Sequence, residues 1–136
     1  MKIVSSVSVT LRMTIARPAL DTLLRSNVCE VRFVRRDPRP GDGPTRRILC
    51  TKDLSILTSV NGRTTLNYRP PRGSMQVNES LQNICVVWDI MMQDYRNVAM
   101  DSCTLIQQIP AADWWEHFNE NNYPMAPEQK LSFMNS

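Results

Sequence analysis

The chain is poor in the residues that most active sites require. It holds one histidine, His117, and four glycines in 136 residues. A single imidazole offers no His pair to a metal and only one base for a Ser or Cys nucleophile. His117 sits beside Glu116 in a Trp-rich segment, which reads as a surface or interface histidine lacking convergent catalytic partners. The glycines form no phosphate cradle: G-x-x-x-x-G-K and G-x-G-x-x-G are missing, as is H-E-x-x-H. Gly41-Asp42-Gly43 lies in a Pro-rich stretch with no helix after it. Cys29, Cys50, Cys85 and Cys103 are spaced by 21, 35 and 18 residues, so no C-x-x-C exists. A zinc site would have to be assembled from distant strands, and four small buried thiols of a reducing compartment are expected instead. No run of 18 apolar residues is present, which excludes a helical membrane span. Ser and Thr break every apolar stretch of the first 15 residues, so they do not read as a secretory signal. No catalytic residue, metal ligand or cofactor is assigned, and a non-enzyme is expected.

What the chain does have is enough apolar residue to fold. Its 42% hydrophobic and 21% charged content excludes a disordered chain, and the length suits one unit. A domain of this size hides roughly two thirds of its unfolded surface and needs no staple. The charge is unevenly placed. Residues 1–72 carry 14 basic and 5 acidic side chains, a balance of +9, while residues 73–136 carry 2 and 8, a balance of −6. Arg accounts for 13 of the 16 basic residues, and its planar fork suits phosphate and carboxylate better than the point charge of Lys.

Period-two patterning predicts strands. Val7, Val9, Leu11, Met13 and Ile15 alternate with polar residues, giving a strand over 6–15; Pro18 then suits the first turn of a helix over 18–26. VCEVRFVRR (28–36) is a strand with Cys29, Val31 and Phe33 on one face and Val28, Glu30, Arg32 and Val34 on the other. The Pro- and Gly-rich 37–45 is a loop, and TRRILCT (45–51) is its return strand. LSILTSV (54–60) and RTTLNY (63–68) flank Asn61-Gly62, the sequence of a type I′ hairpin. The polar 69–82 is a connection. NICVVWDI (83–90) and YRNVAMD (95–101) form a hairpin; a turn centred on Met92-Gln93 sets Asp89 opposite Arg96 and Val87 opposite Val98. Both faces of this hairpin are largely apolar, so one lines a core and the other needs a cover. SCTLIQQI (102–109) is a last strand. A short helix over 111–119, carrying Trp114, Trp115 and Phe118, supplies the cover.

Three of these segments, LDTLLRSNVCEVRFVRRD, TRRILCT and VVWDIMMQDYRNVAMDS, resemble the small SH3-like β-barrel proteins of tailed bacteriophages, a WYL-related, Sm-like group. The resemblance rests on Phe33 with Arg35 and Asp37, on Arg47 through the Cys50-Thr51 pair, on Val87-Trp88-Asp89, on Tyr95-Arg96 and on Asp101-Ser102. It spans about two thirds of the chain, from residue 20 to residue 106. It implies a mainly-β fold: an SH3-like or Sm-like small barrel with a short N-terminal helix and a C-terminal Trp-containing helix. The expected organisation is an added strand in 1–16, the barrel in 17–109 with an inserted hairpin at 54–68, and a C-terminal helix and tail in 110–136. The resemblance also implies a phage-encoded protein with no established catalytic residues. The N-terminal strand, the Asn-Gly hairpin and the Trp-rich extension have no counterpart in the group.

Two sets of residues carry functional expectations. Arg35, Arg36, Arg39, Arg46 and Arg47 gather at the tip of one hairpin, where guanidinium groups suit phosphate contacts and base stacking. The first expectation is a non-enzymatic module binding nucleic acid through them; the alternative use of this tip is a solvated, solubilising surface or a dock for an acidic protein surface. Trp114, Trp115, Tyr123 and Phe133 form the second set, which either covers the core or anchors a partner. A protein-interaction or assembly module follows from it: a virion component, a homo-oligomer, or a modulator of a host protein such as RNA polymerase. The expected location is the host cytoplasm or the virion, away from the membrane.

Overall fold

A computed structural model describes residues 9–38, 40–57, 78–121 and 133–135. The elements run β1 (Val9–Thr14), α1 (Arg17–Leu24), β2 (Asn27–Val34), β3 (Thr45–Thr51), α2 (Leu54–Leu57), α3 (Glu79–Gln82), β4 (Ile84–Asp89), β5 (Asp94–Ala99), β6 (Cys103–Pro110), a 3-10 turn (Ala111–Asp113) and α4 (Trp114–Asn121). The chain is mainly β, as its patterning predicts. The strands form one six-stranded antiparallel sheet in the order β1-β6-β2-β3-β4-β5. β1 and β5 remain its two edges, so the sheet is open and not a closed barrel.

The sequence explains why β2 lies at the centre. It pairs with β6 on one side and β3 on the other, and both of its faces are covered. Cys29, Val31 and Phe33 enter one core, and Val28 enters the second. The inner core adds Ile48 and Cys50 of β3, Cys85 and Val87 of β4, Val98 of β5, and Cys103 and Leu105 of β6. Leu20 and Leu24, one helical turn apart on α1, close it. Helix α1 starts with Pro18 in its first turn, where a missing N–H is harmless, and ends where the Asn27 side-chain amide donates to the Leu23 carbonyl at 2.9 Å. All four cysteines are free, buried thiols, and burial pushes Cys29 and Cys103 up to about 12 and Cys85 up to about 11.

The outer core is built from larger rings. Trp88, Ile90 and Met91 pack with Val28, Leu49 and Ile109 beneath Trp114, with Trp115, Phe118 and Phe133 against them. Helix α4 is thus the cover that the second apolar face of the β4–β5 hairpin requires.

Two expectations give way. Residues 54–57 form a helical turn, not the start of a strand: the Asp53 carboxylate accepts the Ser55 N–H at 2.8 Å, and its carbonyl accepts from Ile56 and Leu57. An acceptor ahead of Leu54 holds the free N–H groups of the turn, which outweighs the β-branched content. The rest of the expected Asn-Gly hairpin lies outside the described residues. The β4–β5 register is also two residues shorter than expected, with Asp89 opposite Asp94 and Val87 opposite Arg96. The turn occupies Ile90 to Gln93, where Gln93 takes a left-handed conformation (φ 55°) and the Asp89 carboxylate accepts the Met92 N–H at 3.1 Å. A shift of two leaves every side chain on its expected face.

One feature of the topology makes a cleft. β3 pairs with β4 only through Cys50 to Asp89 and Thr51 to Trp88, at the far end of β3. Yet Asn83, at the start of β4, reaches the other end of β2, where its carbonyl accepts from Arg36 at 3.1 Å. Both contacts hold because the sheet bends after β3, so that Cys85, Val87 and Val98 of the β4–β5 hairpin pack over the inner face of β2 on Cys29, Val31 and Phe33. Among the described residues no strand pairs with that side of the first half of β3, and a gap opens there.

Candidate anion-binding cleft

The β2–β3 hairpin carries the arginine run, and strand alternation divides it. Arg46 pairs with Phe33 on the inner face, whereas Arg47 pairs with Arg32 on the outer face. The outer guanidinium is engaged. Arg47 Nε lies 2.9 Å from Glu30 Oε2, whose other oxygen accepts from Gln107 at 2.7 Å. The Phe133 ring lies beneath the same guanidinium, 4.1 Å from its centroid.

The remaining members differ again. Arg36 makes a two-pronged contact with Asp101, Nε to Oδ2 at 2.6 Å and Nη2 to Oδ1 at 2.9 Å. This hydrogen-bonded pair raises the arginine and lowers Asp101 below the usual carboxylate range. Arg36 thus clamps the end of β2 to the β5–β6 turn and, through the Asn83 carbonyl, to the start of β4. Arg35 donates to two neutral oxygens, the Gly43 carbonyl and Asn135 Oδ1, the latter at 2.8 Å. Arg39 lies outside the described residues.

Arg46 points into the gap. Its Nε is buried and has no hydrogen-bond partner among the described residues. Burial, then the neighbouring charges of Arg96 and Arg35, push the Arg46 guanidinium down from its ordinary value, while Asp89 and Asp42 partly offset them. Arg96 comes from β5 and lies 3.4 Å from the fully buried carboxylate of Asp89. Burial raises that carboxylate, and the Met92 N–H and Arg96 pull it the other way.

Together these residues enclose a cavity of about 560 Å³ between the β2–β3 tip and β5. Arg35, Arg36, Arg46 and Arg96 line it, with Asp37 and Asp42 at the exposed rim. The buried Phe33, Ile84 and Ala99 form an apolar floor, and the exposed Gln82 and Asn97 present amides beside it. Asp101 occupies Arg36 and Asp89 serves Arg96. Arg35 and Arg46 make no ion pair among the described residues, so the cleft concentrates positive charge over an apolar base. Such an arrangement offers guanidinium groups to an anion. Its described lining contains no thiol, imidazole or hydroxyl, and no group of three or more His, Cys, Asp or Glu among the described residues is placed to hold a metal.

Of the arginines singled out in sequence, the structure brings Arg35, Arg36 and Arg46 to one cleft and places Arg47 on the opposite face. Arg96 is the addition. Sequence reasoning gave it the structural role of facing Asp89; the signal that marks it is parity, because Arg96 and Asp89 share the inner face of one hairpin. Trp114 is fully buried and Trp115 and Phe133 pack half-buried around it, while Tyr123 lies outside the described residues. His117 is buried against Trp114, with ring centroids 6.1 Å apart. No helix among the described residues is long and apolar enough to cross a membrane. No family model matches the chain, and comparison with curated proteins and with solved structures gives no match.

Proposed function

We propose that the chain is a non-catalytic, phage-encoded accessory module of the small SH3-like barrel group, acting in the host cytoplasm or the virion, and that it binds nucleic acid by its phosphates. In this reading the open, bent sheet is a barrel variant, and Arg35, Arg46 and Arg96 are the phosphate contacts. The observation that carries the reading is Arg46: a half-buried guanidinium that makes no ion pair among the described residues, set near two further arginines whose charge Asp89 and Asp42 only partly offset. Burying a charge is costly unless it is paired, so an anion entering the cleft supplies what the fold leaves out. Arg36 contributes by closing the cleft end through Asp101, and Arg47 plays no part in contact.

Fluorescence anisotropy with labelled single- and double-stranded DNA and RNA tests this. Binding is expected to weaken steeply with rising salt, because phosphate contacts release counter-ions. Arg46→Glu weakens all sequences about equally. Absence of binding, or binding indifferent to salt, rejects the reading.

A protein-interaction or assembly role is the second reading, and one observation favours it. The edge strand β1 adjoins an apolar groove of about 530 Å³ lined by Met13, Ile15, Ala16, Ala19, Leu23 and Leu105. Met13 there is 51% exposed. Light scattering and pull-down from host lysate separate the two readings.

A further inference from the structure

We infer that the cleft takes a single nucleotide unit, with its phosphate on Arg46 and Arg35 and its base over the Phe33–Ile84–Ala99 floor. This rests on the nucleic-acid reading above and narrows it to unpaired nucleotides. Three features of the cleft lead here.

The first is depth. Arg46 lines the gap between the two hairpins with its Nε covered by protein, so a phosphate meets the rest of this guanidinium from within the gap. A duplex carries its phosphates on rigid, broad ridges with the bases stacked inside. A single strand can splay one nucleotide away from its neighbours. The second is size. A volume of about 560 Å³ lies within the range of about 300–1,000 Å³ that encloses one small ligand. The third is the division of the lining. Charge gathers at Arg35 and Arg46, with Asp37 and Asp42 at the rim, and the nearly buried Phe33, Ile84 and Ala99 add a small apolar surface beside them. The amides of Gln82 and Asn97 stand at its rim and can donate to and accept from a base edge. A site for phosphate alone needs neither the floor nor the amides. A nucleotide has a phosphate at one end and a flat, edge-polar ring at the other, which matches both parts.

The nucleotide can come from a strand or be free in solution, and the experiment separates these sources. A labelled single-stranded oligonucleotide is bound to the full chain and displaced in turn by unlabelled single strand, duplex of the same sequence, a nucleoside monophosphate, and inorganic phosphate. Displacement by the single strand at the lowest concentration, by the monophosphate next, and by duplex and inorganic phosphate at least about tenfold less well supports the inference. A monophosphate that matches the single strand identifies the free nucleotide as the source. A duplex that competes equally overturns the inference and leaves the phosphate reading standing. Inorganic phosphate that competes as well as the monophosphate overturns it too, because the floor then contributes nothing. No binding by any probe removes both readings.

Arg46→Gln tests the position. It removes a guanidinium that no described residue hydrogen-bonds, so the fold is retained, and affinity for the single strand and the monophosphate falls about tenfold or more. Arg32→Gln, the same charge change on an exposed residue of the outer face, serves as the control and leaves affinity within about twofold. Equal losses in the two variants reject the cleft as the site.

Discussion

Arg46 and Arg47 are neighbours in one strand and meet opposite circumstances. Arg47 faces outward to Glu30 at 2.9 Å and rests on the Phe133 ring. Arg46 faces inward to Arg96 and Arg35 and has no acceptor among the described residues. The same side chain is thus ion-paired within the fold on one face and makes no ion pair among the described residues on the other. A cluster of charge in sequence says little about availability. In a strand, the two faces divide it, and each face then assigns its own partners.

The largest expected effect lies in removing each arginine separately. Arg47→Ala leaves the Glu30 carboxylate, only 5% exposed, with the Gln107 hydrogen bond and no ion pair among the described lysines and arginines. Losing one member of a buried pair costs about 3–5 kcal/mol, and the 28% exposure of Arg47 lowers this to about 2–3. Arg46→Ala removes a charge that Arg96 and Arg35 repel and that Asp89 and Asp42 only partly offset, and stays within about 0.5 kcal/mol of the parent. Urea denaturation midpoints measure both. Equal destabilisation by the two changes means that Arg46 has a structural partner and that the cleft is not poised for an anion.

A smaller effect is expected at Phe133. Its ring packs on the outer core and carries Arg47, so Phe133→Ala costs about 1–2 kcal/mol, less than a fully buried ring. Single-strand affinity should not follow, because the ring is on the far side of the sheet from Arg46. An affinity loss of more than about threefold at full folding would show that the two faces are coupled, since 1.4 kcal/mol already corresponds to tenfold.

These contrasts also show how far the sequence could be read. Alternation in 28–36 assigned Cys29, Val31 and Phe33 to one face and Val28, Glu30 and Arg32 to the other, as found. The same rule applied to TRRILCT separates Arg46 from Arg47. What hid the separation was reading the hairpin tip as a single basic patch. The bend of the sheet after β3 was not legible, because a two-residue pairing between β3 and β4 leaves no periodic trace. Arg96 therefore looked like a strand residue serving Asp89, when the bend carries it to Arg46. At 54–57 the acceptor ahead of the turn, Asp53, was visible, and its effect was masked by the Asn-Gly pair further along.

The finest test of the comparison is pH. His117 lies on the outer side, where burial lowers it from 6.5 and the charges of Glu30 and Glu120 act in the opposite direction. The unfolded chain then takes up the proton at a higher pH than the folded one. Folding stability is fully present above pH 6.5, declines as pH falls through that value, and levels off below the folded value. His117→Gln abolishes this decline. In Arg47→Ala, Glu30 has lost its guanidinium and acts more fully on the imidazole, so the decline shrinks. Arginine charge does not change in this window, and a phosphodiester strand does not titrate there either, so affinity for a single strand stays flat from pH 6 to pH 8. A binding profile that instead follows the His117 transition would place the anion contact on the outer side and reverse the roles given to Arg46 and Arg47.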